Sequence, residues 1–135
     1  MRVVFDANVV AAAVCWNGEP YLCLVKMARR QVFAFGSAET MEEAREITTE
    51  LIHEVQPRHS ATVRLTWYLD KLRLVTPAPL GKQRSRDAKD DCYIAAALAA
   101  RVDYLVSFDR DLRSLQKPFG IAVITPAQLL KSIKG

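Results

Sequence analysis

Five short, largely apolar runs are spread along the chain: Arg2 to Phe5, Val32 to Phe35, Leu72 to Thr76, Tyr104 to Ser107 and Ile121 to Ile124. They are too short for helices, and their β-branched and aromatic residues suit strands. Apolar runs of this kind belong in parallel strands whose two faces are both covered.

Helical patterns lie between them. Ser37 is placed as an N-cap, with acids in the first turn and Ala44, Ile47, Leu51 and Val55 on one stripe. A second helix is expected from about Ser60 to Lys71, carrying Val63, Trp67 and Tyr68. A third, alanine-rich, runs from Asp87 to Arg101 after the turn-forming loop from Pro77 to Gly81. Thr125-Pro126-Ala127-Gln128 reads as a capping box that opens a C-terminal helix. Strands alternating with helices require crossover connections. The fold class is therefore α/β, a mostly parallel five-stranded sheet flanked by helices, whose active site gathers beyond the carboxyl ends of the strands.

A length of 135 residues suits one domain, and no repeat or composition break divides residues 1–135. No apolar stretch reaches membrane-spanning length, and the run after Met1 meets Asp6 too soon for a signal peptide. Three cysteines, Cys15, Cys23 and Cys92, fit neither a disulfide framework nor a zinc site, so a reducing cytoplasm is the expected location. A net charge of +4 is compatible with nucleic-acid binding without specifying it.

The chain has 15 acids, and the informative ones stand where a carboxylate is costly. Asp6 follows the first strand directly, and Asp109 comes two residues after the fourth. Taken singly, either acid serves equally well as a helix cap or turn former. Asp90 shares a helix face with Ile94, Ala97 and Arg101, an inward direction, and lies in the first turn, where the helix dipole favours negative charge. Asp91 points about 100° away and reads as solvent-facing. Asp87 reads first as a cap and second as an outer member of a site. Among the glutamates that follow Ser37, Glu43 borders the apolar stripe early in the helix, while the others form a solvated face.

Carboxylates converging at one sheet end repel one another and titrate upward unless a cation sits among them. Oxygen-only donors suit Mg²⁺ or Mn²⁺ rather than zinc. Such ions serve phosphodiester hydrolysis without histidine or serine as nucleophile or base. His53 and His59 accordingly take no role.

On these residues the chain resembles the PIN-domain nucleases, most closely the group that act as toxins of toxin-antitoxin systems. The opening strand with Asp6-Ala7-Asn8-Val9 is similar to the family's Asp-Thr-Asn-Val, with Ala7 for threonine. Glu43 falls in the helix that begins at a serine. Arg86-Asp87-Ala88-Lys89-Asp90 resembles Arg-Asp-Pro-x-Asp, with Ala88 for proline, and Leu105-Val106-Ser107-Phe108-Asp109 resembles Leu-Val-Thr-x-Asp. The resemblance implies a three-layer sandwich and Mg²⁺- or Mn²⁺-dependent endoribonuclease activity, with neutralisation by a cognate antitoxin and frequent homodimerisation. It implies metal binding by Asp6, Asp90, Asp109 and Glu43, with Asn8 and Ser107 in support and Asp87 in reserve. Lys82, Arg84, Arg86, Lys89 and Arg110 flank these acids and are either solvated surface charge or contacts to the RNA backbone. Trp16, Trp67 and Tyr93 are assigned to core or interface.

Three other readings compete. A haloacid-dehalogenase-like phosphatase also places an Asp after its first strand, but needs a second acid where Asn8 stands. A PIN domain that binds RNA or protein without cutting would gain nothing from a repulsive acidic cluster, whereas a structural or interaction protein with scattered surface acids stays open; both predict no activity with Mn²⁺.

Overall fold

The structure is a computed structural model that describes residues 1–133. Strand β1 (Arg2–Phe5) is followed by helices α1 (Ala7–Cys15) and α2 (Glu19–Ala28), then β2 (Phe33–Gly36), α3 (Ala38–Val55), α4 (Ala61–Lys71) and β3 (Arg73–Leu74). A 3₁₀ turn (Ala88–Asp90) leads into α5 (Asp91–Ala100), which precedes β4 (Tyr104–Val106), α6 (Arg110–Arg113), β5 (Ala122–Ile124) and α7 (Pro126–Ser132). All five strands are parallel, in the order β3-β2-β1-β4-β5.

Burial follows that order. Val3, Val4, Phe5, Leu105 and Val106 of the central strands are buried, whereas both residues of the edge strand β3 are exposed. This agrees with the apolar composition of the inner runs, since a parallel sheet is covered on both faces. Helix α5 packs across β1, β2 and β4, while α1 lies against α2, α3 and α4. The buried apolar side chains form one cluster running through the sheet and these helices.

The sequence reading names no helix between Phe5 and Val32, yet two form there. Residues 7–15 are apolar nearly all round and have no polar face to produce a helical stripe. The Leu72 to Thr76 run yields only two paired residues because β3 has a single neighbour, β2. Of the residues carried by the expected helix from Ser60 to Lys71, Tyr68 is buried and Val63 is 66% exposed.

Helix caps fall where their residue types place them. The Ser37 hydroxyl accepts from the Thr40 N–H and the Thr40 hydroxyl accepts from the Ser37 N–H, which closes a capping box at the start of α3. Thr125 and Gln128 do the same for α7, with Pro126 in its first turn. Gly36 sits against the first of these boxes: a Cβ there would stand 2.7 Å from Thr40 Oγ1 and 3.4 Å from Leu72. Gly36→Ala is therefore expected to break the box and lower stability by about 1–3 kcal/mol, read by denaturant unfolding. An unchanged midpoint would mean that Thr40 moves aside without loss.

Candidate active site

The strand order reverses at β1 and β4: the chain winds from β1 outward to β2 and β3, then crosses to β4 on the other side. At such a switch point the loops after the two strands diverge and leave a crevice at their carboxyl ends. Asp6 leaves β1 there, and Ser107 and Asp109 leave β4.

Backbone pairing ties the two exits together. The Asp6 N–H donates to the Val106 carbonyl at 2.9 Å. Asp6 is 7% exposed and caps α1, with Oδ1 accepting from the Asn8 N–H at 3.4 Å. The fully buried Ser107 hydroxyl donates to Asp6 Oδ2 at 2.7 Å and accepts from the Asp109 N–H at 3.0 Å, so it bridges the two strand-end acids. Asp109 caps α6 through Asp111 N–H at 2.8 Å. Asn8 contributes only its backbone N–H to this network, and its side chain is exposed.

Two helices supply the other acids. Asp90 ends the 3₁₀ turn ahead of α5, half-buried, and makes no capping bond. Glu43 reaches in from α3, where one carboxylate oxygen, Oε1, accepts a hydrogen bond from the Tyr93 hydroxyl on α5. Tyr93, assigned from the sequence to core or interface, is buried as expected but also touches the acidic group. Its signal was the phenol itself, which needs a partner wherever it is buried.

Burial and mutual repulsion act together on these acids. Burial pushes the Asp90 carboxyl up to about 6, and Asp109, Asp6, Asp87 and Glu43 all push in the same direction. Asp6 is raised chiefly by burial, against the lowering effect of the Ser107 and Asn8 hydrogen bonds, with Glu43 and Asp109 adding to the rise. Burial likewise raises the Cys92 thiol to about 12, helped by Glu39, Glu43 and Asp90. Asp6, Glu43, Asp90 and Asp109 thus share one field. Asp87 lies at its margin, exposed and capping the 3₁₀ turn through the Lys89 N–H at 3.0 Å.

The donors are all hard carboxylate oxygens, a set that suits Mg²⁺ or Mn²⁺. The side chains are not closed around a point: among the described residues, no three His, Cys, Asp or Glu form a group able to hold a metal ion. Asp6, Glu43 and Asp109 are each held by a protein hydrogen-bond donor, and mutual repulsion keeps like charges apart. The donor set fits the ion in chemistry, and closing around one would require the side chains to move together.

The flanking cations divide. Arg84 does not face outward as a free phosphate contact: its guanidinium donates twice to the Leu80 carbonyl and lies 4.9 Å from the Phe119 ring centroid. Arg86 is 84% exposed, 3.8 Å from Asp111. Lys82, Lys89 and Arg110 are exposed and make no ion pair among the described residues.

Asp91 is not the solvated residue expected. Its carboxylate accepts from the N–H groups of Arg84 and Ser85, at 3.0 and 2.7 Å, and from the Ser85 hydroxyl. These bonds outweigh its partial burial and hold its pKa below the usual value. Residue 91 thus ties down the basic loop before Asp90. Asp91→Ala is expected to speed tryptic cleavage at Lys82, Arg84 and Arg86 about tenfold or more, since bonds to a charged group contribute about 1.5–3 kcal/mol against opening. Wild-type cleavage rates in the variant would show that the loop is held by other contacts.

No described helix is long and apolar enough to cross a membrane. A family model described as "PIN domain" matches residues 2–111, which take in every acid of the site. No curated protein matches the chain.

Proposed function

Since the chain belongs to the PIN-domain family, a nuclease-type fold, we propose that it is a divalent-metal-dependent endoribonuclease acting as the toxin of a toxin-antitoxin pair. The observation that carries the reading is the position of Asp90, whose carboxyl is raised to about 6 with four other acids contributing. A fold gains nothing from such a cluster by itself, but a bound cation turns the same repulsion into attraction.

Asp6, Asp90 and Asp109 would hold Mg²⁺ or Mn²⁺, with Glu43 as a further ligand or as the group that orients water. An ion held there would supply the lowered pKa of an attacking water and charge compensation at the leaving oxygen. Ser107 keeps Asp6 and the Asp109 backbone in register. Water adds at phosphorus as one P–O ester bond breaks, leaving a phosphate monoester and a hydroxyl. Lys82, Arg86, Lys89 and Arg110 provide cationic contacts to RNA phosphates, which position the strand without reading its sequence.

The proposed partners are a cognate antitoxin and a second copy of the chain, in the cytoplasm. Apolar surface between α2 and α4, lined by Leu24, Val25, Val63 and Trp67, supports a covered face. One observation favours the rival reading of a module that binds without cutting: the acids do not close into a ready-made cation cage.

Incubation of mixed RNA with the protein and Mn²⁺ or Mg²⁺ separates the two. Cleavage that stops with chelator and with Asp90→Asn supports the nuclease. Equal cutting by the variant would expose a contaminant, and no cutting by folded wild type would leave the binding module.

A further inference from the structure

Tyr93 is 1% exposed, and its ring belongs to the hydrophobic core. A phenylalanine would fill that space equally well, so the hydroxyl calls for its own explanation. A phenol stripped of water needs a hydrogen-bond partner, and here it meets the carboxylate of Glu43, fifty residues away on α3. The neighbouring glutamates, Glu42 and Glu46, are exposed, while Glu43 is half-buried beside the other acids. No other hydrogen bond reaches Glu43 among the described residues, so Oε2 is left to whatever enters the site.

We propose that Tyr93 is a positioning residue for the reaction: its buried hydroxyl fixes the Glu43 carboxylate, presenting that group to the cation and water in a set orientation. The inference rests on the nuclease reading for its catalytic consequence, though its effect on cation binding stands apart from RNA cleavage. Glu43 sits on a long, flexible side chain, part-way exposed, among like charges that favour its swinging outward. A rigid donor from the core opposes that motion. Outer partners of metal-binding carboxylates act in this way, and their loss costs about 10–100-fold in affinity or activity.

The test uses the full chain with Tyr93→Phe and with Tyr93→Met, a second replacement lacking the hydroxyl, each confirmed folded by thermal melting. Calorimetric titration with Mn²⁺ is expected to show affinity reduced about tenfold. With RNA, kcat falls by about tenfold or more while KM is unchanged. In a Glu43→Ala background, Tyr93→Phe is expected to add less than about a twofold loss, because the group it positions is gone. An equal loss in both backgrounds would make Tyr93 a packing residue and overturn the proposal, as would wild-type Mn²⁺ affinity and kcat in both single variants. Weaker Mn²⁺ binding in a protein whose wild type cuts no RNA would sink the nuclease reading and keep the positioning role.

Discussion

Asp6→Asn is expected to lose RNA cleavage by at least about a thousandfold while raising the melting temperature of the metal-free protein. The two effects have one origin. Asp6 is nearly buried at the switch point, and burial together with Glu43 and Asp109 raises its pKa, so the charged form is held at a cost. An amide removes that cost. It can keep its oxygen on the Ser107 hydroxyl, a bond of 2.7 Å, and sacrifice only the longer 3.4 Å bond from Asn8 N–H. The gain is about 1 kcal/mol, or roughly 3 °C for a chain of this size. On the proposed mechanism the catalytic loss follows from removing a metal ligand, which would contribute several kcal/mol of charge stabilisation in the transition state, at about 1.4 kcal/mol per tenfold. Scanning calorimetry without metal and a gel assay with Mn²⁺ read the two halves. A variant that melts lower would mean that Asp6 is a structural cap first, and one that still cuts would remove it from the mechanism.

The acids differ in how far the sequence alone could place them. Asp6 and Asp109 were legible because each follows an apolar strand, and a residue just past a parallel strand stands at the carboxyl end of the sheet whatever the packing. The five strands were legible for the same reason, with the largest shortfall at the edge, where β3 is exposed and short. Glu43 was picked from its row of glutamates by its angle on α3, and leaned more on the family resemblance than the others. Asp90 was placed on a helix face, whereas it ends a 3₁₀ turn that hands over to α5.

Other features left no periodic trace. Helix α1 is apolar nearly all round, with only Asn8 exposed, so its residues show no stripe. The bonds from Asp91 back to the basic loop join residues six and seven apart across a turn, which no helix or strand period marks. Arg84 looked like a phosphate contact because charge is visible in a sequence and a folded-back guanidinium is not. Tyr93 was seen as an aromatic, and its hydroxyl acquired meaning only when α3 and α5 came together.

The charge cluster also fixes how metal and pH act together. The Asp90 carboxyl has a folded pKa of about 6 against an ordinary 3.8, so between those values the folded state binds more protons than the unfolded one. Its stabilising contribution is present below about pH 4 and is lost as pH rises through about 6; Asp6, also raised, acts in the same direction. Asp91 has the opposite sign, but its lowered pKa confines its effect to pH below about 4. Without metal, these groups therefore make the protein lose stability from pH 4 to pH 7. A divalent cation bound by the ionised acids, as proposed, would reverse this: at a hundred times its dissociation constant it would add about 2.7 kcal/mol, roughly 5–10 °C. Protons compete for Asp90 below about pH 6, so the gap between melting curves in Mn²⁺ and in chelator is expected to be widest near pH 7.5 and to close towards pH 5. Asp90→Asn should shrink the gap at pH 7.5. A gap of equal size at both pH values would show that the cation binds away from Asp90, and no gap at pH 7.5 under saturating Mn²⁺ would overturn the proposed metal site.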